Sequence, residues 1–259
     1  MLAQQRQAAI LERVRAAGGV RVSELVAEFG VSDMTIRRDL ESLAERGLLA
    51  KVHGGATTMR SGSTDEPGFA AKSIRQRSEK SAIASRAADL VSPGIAVALS
   101  AGTTTAELAQ RLVDMPNLTV VTNSIPVADI FYRSGRPDQT VVLTGGVRTP
   151  SDALVGPVAV AAIRSLHLDA LFLGVHGMSE RAGYTTPNLM EADTNRALVD
   201  AAERLIVLAD STKWGTVGIS SIAALDEAHV VVTDGALPDA AKAALTEHVE
   251  ELILVEVDR

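Results

Sequence analysis

A chain of 259 residues, 46% hydrophobic but only 3% aromatic, has material for two domains with aliphatic cores. It contains no cysteine, which excludes disulfides, thiolate metal sites and thiol nucleophiles. With no long apolar run and no signal-like start, the expectation is a cytoplasmic protein with neither membrane span nor membrane partner.

The first elements are helical. Gln4–Ala17 carries apolar residues at Ala8, Ile10, Leu11 and Val14, and Gly18-Gly19 closes the helix. Ser23 is placed to cap a second helix through Phe29, with Gly30 making a turn. Ser32 and Asp33 open a third helix, in which Ile36, Leu40, Leu43 and Ala44 form one apolar face. Met34, Arg38 and Glu41 look the other way, with Arg37 at the flank, and Gly47 stops the helix. Leu48–Val52 and Ala56–Thr58 then flank Gly54-Gly55 as a hairpin. Helix, turn, helix and hairpin, with two arginines near the start of the last helix, is the layout of a winged helix-turn-helix reading a DNA groove. The net charge of −7 does not oppose this. Residues 1–60 carry nine Lys/Arg against seven Asp/Glu, whereas residues 81–259 carry twelve against twenty-two. Contact with a polyanion is thereby confined to the N-terminal end.

Residues 60–68 are polar and glycine-rich and mark a junction, so the domains read as 1–59 (winged helix-turn-helix), 60–78 (linker) and 79–259. From Glu79 onward helices and short apolar runs alternate. Helices are predicted at 79–91, 104–112, 124–133, 157–165, 189–202 and 238–247. Strands are predicted at 95–99, 118–122, 140–143, 169–173, 204–208, 228–232 and 251–256. That alternation predicts an α/β domain with a parallel sheet covered by helices on both faces.

Ligands of such sheets collect where strands end and helices begin. Gly102, Thr103, Thr104 and Thr105 follow the first strand with the chemistry of an anion cradle, hydroxyl donors and helix N–H groups beside a glycine. The same residues could equally be an ordinary helix cap. Asn123, Gly145, Gly146, Arg148 and Lys213 follow other strands, the two cations as charge for the same anion, Asn123 as a sugar-hydroxyl partner or as turn chemistry. His176, Glu191 and Asp193 match no metal-ligand spacing, and neither metal nor cofactor is expected.

Thr35-Ile36-Arg37-Arg38-Asp39-Leu40, Gly47 and Val52-His53-Gly54-Gly55-Ala56 resemble the DNA-binding signature of the DeoR family of bacterial transcriptional regulators, of the DeoR/GlpR type. Ser100–Thr105, Val121–Ser124, Leu143–Gly146, Phe172–Val175, Asn188–Ala192 and Ala209–Lys213 resemble, in order, the C-terminal sensor of that family. The resemblance implies a sensor similar in fold to ribose-5-phosphate isomerases and CoA transferases. It further implies a phosphorylated sugar held at Gly102–Thr105, with Lys213 toward the other end of the pocket.

The expected function is a non-enzymatic regulator, a repressor of sugar-catabolic genes released from operator DNA by a phosphorylated sugar. Ser32 and Thr35 suit phosphate contacts, Arg37 and Arg38 contact DNA from the recognition helix, and Lys51 and His53 belong to the wing. Asp39 carries the wrong sign for phosphate and is expected to brace an arginine within the lobe. Two lobes at fixed spacing require a homo-oligomer, a dimer or a tetramer. The alternatives are a sugar-phosphate isomerase with a DNA-binding appendage and a DNA-binding protein indifferent to ligands.

Overall fold

The computed structural model describes residues 3–17, 19–46, 48–52, 54–57, 63, 64, 66 and 68–257, except the side chains of 4 and 15–17. It divides into two compact units, Met1–Gly62 and Ser63–Arg259.

The first unit comprises α1 (Ala3–Ala17), β1 (Gly19–Arg21), α2 (Val22–Phe29), α3 (Asp33–Glu45), β2 (Ala50–Val52) and β3 (Gly55–Thr57). Its core is aliphatic, with Ile10, Val14, Leu25, Ile36, Leu40, Leu43 and Leu49 almost wholly buried. The apolar stripe of α3 therefore points inward as its spacing requires. Three details differ from the sequence reading. Gly19 opens a strand that pairs with β3, so the wing is a three-stranded sheet in the order β1-β3-β2. Ser23 is not the cap of α2: the helix starts at Val22, and the Arg21 N–H donates to the Glu24 carboxylate at 3.2 Å. The hairpin strands are shorter than expected, and Gly18, Gly47 and Thr58 lie outside the described residues.

The second unit runs α4 (Phe69–Ser73), α5 (Arg77–Ala88), β4 (Ala96–Leu99), α6 (Thr103–Leu112), β5 (Thr119–Thr122), α7 (Ile125–Ser134), β6 (Thr140–Leu143), β7 (Val147–Arg148), β8 (Leu154–Val155), α8 (Pro157–Ile163) and β9 (Ala170–Gly174). It continues with β10 (Gly177–Ser179), β11 (Gly183–Thr186), α9 (Leu189–Ala201), β12 (Leu205–Leu208), β13 (Ser220–Ala223), β14 (Val230–Asp234), α10 (Asp239–His248) and β15 (Glu251–Val255).

Seven of these strands form a sheet in the order β15-β14-β12-β9-β4-β5-β6, every neighbouring pair parallel. Successive residues face opposite sides of the sheet. Val97 and Leu99 pack with Ile83, Leu108 and Phe131 of α5–α7, while Ala98, Leu171 and Leu173 pack with Ile163, Leu198 and Leu245 of α8–α10. The small antiparallel sheet β10-β11-β13 adds Met178, Tyr184 and Ile222 to the second layer. The edge strand β6 is exposed along its whole length. Among the described residues no helix is long and apolar enough to cross a membrane.

Strand order reverses between β4 and β9, so the loops that follow these two strands diverge to opposite sides and open a crevice at their carboxyl ends. The β7-β8 hairpin lies over the same end, where Ala153 and Val155 pack on Ala101. The segment expected to be linker is mostly not one. Residues 63–78 belong to the second unit, and within them Phe69 donates its N–H to the Pro150 carbonyl at 3.2 Å.

Candidate functional site

On α3 the Ser32 hydroxyl accepts from the Thr35 N–H at 3.2 Å and lies 2.8 Å from the Thr35 hydroxyl, a complete N-cap. Arg37 grips Asp33 one turn earlier, Nε to Oδ1 at 2.5 Å, and Lys51 of β2 reaches Glu41 at 2.9 Å. Arg38 is exposed and has no side-chain partner among the described residues; Met34, one turn away on the same face, is 65% exposed. Asp39 points inward, where its carboxylate accepts from Arg6 Nε at 2.6 Å and Gln7 Nε2 at 3.0 Å. Both Arg6 and Asp39 are buried, so this pair braces α1 on α3. His53 lies outside the described residues. The tip of the wing depends on Gly55: a Cβ there would sit 2.1 Å from the Val20 carbonyl oxygen of β1.

In the second unit Gly102 caps α6, and the first turn of α6 carries Thr103, Thr104 and Thr105, all buried. The Thr105 hydroxyl is spent within the loop, donating to Ser100 O at 2.6 Å, whereas the hydroxyls of Thr103 and Thr104 have no partner among the described residues. Asn123 is fully buried and committed to the backbone. Its Oδ1 accepts from Ala101 N–H at 2.9 Å and its Nδ2 donates to Leu154 O at 3.3 Å, so its chemistry here is that of a turn. Gly145 and Gly146 have positive φ, and a Cβ at Gly146 would meet Val155 O at 2.6 Å; the β7-β8 hairpin requires that glycine. Arg148 is mostly exposed and paired with Asp152, with an N–O distance of 2.6 Å. Lys213 is half-buried and close enough to Lys72 and Lys80 to disfavour their charged forms.

Those two lysines are what the sequence reading missed. Lys80 is 4% exposed, and its ammonium donates to the carbonyls of Lys72 at 2.5 Å and Arg75 at 2.6 Å, closing the C-terminal end of α4. Burial pulls its pKa down to about 8, against the opposing pull of Asp210. Burial also lowers the pKa of Lys72, whose ammonium donates to Ser151 Oγ at 2.8 Å. Burial pushes Glu191, in the first turn of α9, up to about 7, with Lys72 opposing. A signal for Lys80 was present, since it shares the helical stripe of Ile83, Ala84 and Ala87. Beside the N-terminus of α6 lies a cleft of about 240 Å³, lined by Phe69, Arg77, Lys80, Thr103 and Glu107 among others. Of the residues expected to hold ligand, Thr103 alone lines it.

A winged helix with an open cationic face, joined to a separate α/β unit, defines the class of helix-turn-helix DNA-binding proteins. Residues 6–61 match the DeoR-like helix-turn-helix domain, and residues 75–235 match the DeoR C terminal sensor domain. The chain belongs to the DeoR family of transcriptional regulators. It is 35% identical over 257 residues to an uncharacterized HTH-type transcriptional regulator, YgbI, of Escherichia coli, covering 99% of both chains. It is 34% identical to a lactose phosphotransferase system repressor of Staphylococcus epidermidis, over 87% of this chain and 89% of that one. Among solved structures, ribose 5-phosphate isomerase A of Methanocaldococcus jannaschii aligns over 53% of this chain and 54% of its own, at 15% identity and a TM-score of 0.39.

Proposed function

We propose that this protein represses sugar-catabolic genes as a homo-oligomer and leaves its operator when a phosphorylated sugar binds the α/β unit. The observation that carries this reading is the gathering of Lys72, Lys80 and Lys213 around the carboxylates of Glu66, Glu191 and Asp210. Cations held partly out of water are costly unless an anion completes their surroundings, and a phosphate supplies one. The unengaged hydroxyls of Thr103 and Thr104, at the positive end of α6, add donors of the same preference. The sugar assignment is supported by the name of the staphylococcal relative, a repressor of a lactose phosphotransferase system.

In the DNA-binding unit Arg38 reads the groove, and Arg37 reaches DNA by giving up Asp33. Ser32 and Thr35 approach phosphate, and Lys51 and His53 follow the backbone from the wing. Two such lobes meet successive half-sites only in an oligomer. Effector binding favours a state with lower operator affinity and thereby shifts the population off DNA.

The test is a fluorescence-anisotropy titration on the protein's own promoter at fixed salt, with a panel of sugar phosphates and their unphosphorylated counterparts. Release by a phosphorylated compound and not by its parent sugar is expected. Tight DNA binding that no phosphorylated compound alters overturns the effector assignment, and a monomer on DNA overturns the oligomer.

A further inference from the structure

Ser63 and Glu66, at the start of the α/β unit, lie against its loops. The Ser63 carbonyl accepts from the Ile219 N–H at 2.8 Å. Three residues on, the Glu66 carboxylate is held at both oxygens: Oε1 accepts from Ser151 Oγ and Oε2 from Asn188 Nδ2, each at 2.9 Å. Ser151 is almost wholly buried and also touches Lys72 Nζ, so a cation backs the hydroxyl that Glu66 uses. Asn188 is the N-cap of the thirteen-residue α9; its Oδ1 accepts from the Glu191 N–H, which leaves Nδ2 turned toward the anion. Glu191 is buried close by, with the buried Thr186 hydroxyl facing it.

This is an anion site made of a hydroxyl, an amide, a lysine and a helix N-terminus, and its occupant is a side chain of the same protein. We infer that Lys72, Ser151 and Asn188 form the seat for the anionic group of the effector, and that Glu66 fills this seat in the ligand-free chain as a tethered competitor. The inference rests on the α/β unit being a sensor of an anionic metabolite.

The surroundings of Glu66 fit displacement better than a permanent tie. Downstream, α4 is fixed independently: Lys80 holds its C-terminal carbonyls, and Phe69 packs against the core. An entering phosphate therefore releases Glu66 and the chain before it, and leaves α4, with its N-cap Gly68 and with Lys72, in place to bind it. That gives effector binding a direct mechanical consequence along the backbone.

The test uses full-length wild type, Glu66→Gln, Glu66→Ala and Glu66→Gln/Asn188→Ala, with inorganic phosphate as probe and no DNA present. Calorimetric titration measures affinity, and hydrogen exchange follows the Ile219 amide, which bonds to the Ser63 carbonyl, and the amides of Phe69 and Lys72. A competitor that occupies its seat most of the time weakens the apparent affinity by the inverse of the vacant fraction, so loss of Glu66 is expected to tighten phosphate binding by about tenfold. The Asn188→Ala partner is expected to abolish that gain, and phosphate is expected to speed exchange of the Ile219 amide in wild type while Phe69 and Lys72 stay protected. Equal phosphate affinity with and without Glu66 overturns the inference, as does no measurable binding by either Glu66 variant. Undisturbed protection of the Ile219 amide in phosphate-saturated wild type also overturns it. Because the probe carries no sugar, failure here leaves the effector assignment standing, and a failed sugar-phosphate panel leaves the seat standing.

Discussion

The two units use positive charge in opposite ways. On α3 and the wing the cations stand in water: Arg37 and Lys51 are about half exposed, and Arg38 is open. In the α/β unit Lys80 is closed off from solvent, and Lys72 is buried enough for its pKa to fall. Solvated cations keep their charge at no cost and trade counterions for DNA phosphates, so their contribution is long-ranged and sensitive to salt. Desolvated cations carry a standing penalty that only a specific arrangement of acceptors offsets. One unit holds its positive charge where a polyanion can reach it, the other holds its positive charge inside the fold.

The sharpest way to break this contrast is to place an unpaired charge inside the first unit. Asp39→Ala leaves the buried Arg6 guanidinium without its carboxylate, and losses of this kind run to about 3–5 kcal/mol. The expected outcome is a lowered melting transition for residues 1–62 and lost DNA binding, with the α/β transition unchanged in calorimetry.

Next in size is the pH dependence of the α/β unit. Glu191 titrates near 7 when folded and at 4.5 when unfolded, so between these values the folded state holds the extra proton. Stability from this group is complete below pH 4.5 and is lost as pH rises through about 7, an effect of order 3 kcal/mol at most. Lys72, Glu66 and Thr186 are the groups that face it. Glu191→Gln is expected to flatten the melting temperature of the α/β unit between pH 5 and 8, and an unchanged slope rejects the assignment. Lys80 acts at the other end: its depressed pKa makes stability rise as pH passes from about 8 toward 10.5.

Arg38→Ala comes third, with an expected loss of about 1–3 kcal/mol in operator affinity by anisotropy. Arg37→Ala is expected to cost less, because part of what Arg37 gives DNA it first takes from Asp33. Lys51→Ala should have the smallest effect, below about 1 kcal/mol, seen chiefly as a shallower dependence of affinity on salt.

How far these features could be read in advance follows the same division. All seven parallel strands and the helices that cover them announce themselves through unbroken apolar runs such as Leu205–Leu208 and through helical spacing. The strands that escaped notice, β1, β7, β8, β10, β11 and β13, are two to four residues long; β7-β8 and β10-β11 are short hairpins, and β1 and β13 pair with strands distant in sequence. Exposed candidate residues such as Arg38 were legible because a helix displays what it does not bury. The buried ones were not. Glu66 and Lys72 lie in a polar, glycine-bearing stretch whose composition fits a solvated linker, and only the fold brings Ser151 and Asn188 to them. For Asn123 the sequence left turn chemistry and ligand contact open, and the fold commits its amide to the backbone.

The closeness of Gly55 to Val20 sets a boundary on how this protein can be re-engineered or can drift. Positions 34, 37, 38 and 51 are exposed, so a change of side chain there leaves the core of the unit untouched. Position 55 admits nothing larger than hydrogen without parting β1 from β3. A library aimed at new operators gains diversity on the recognition helix and the outer wing strand, and spends every variant it makes at that glycine on misfolded protein.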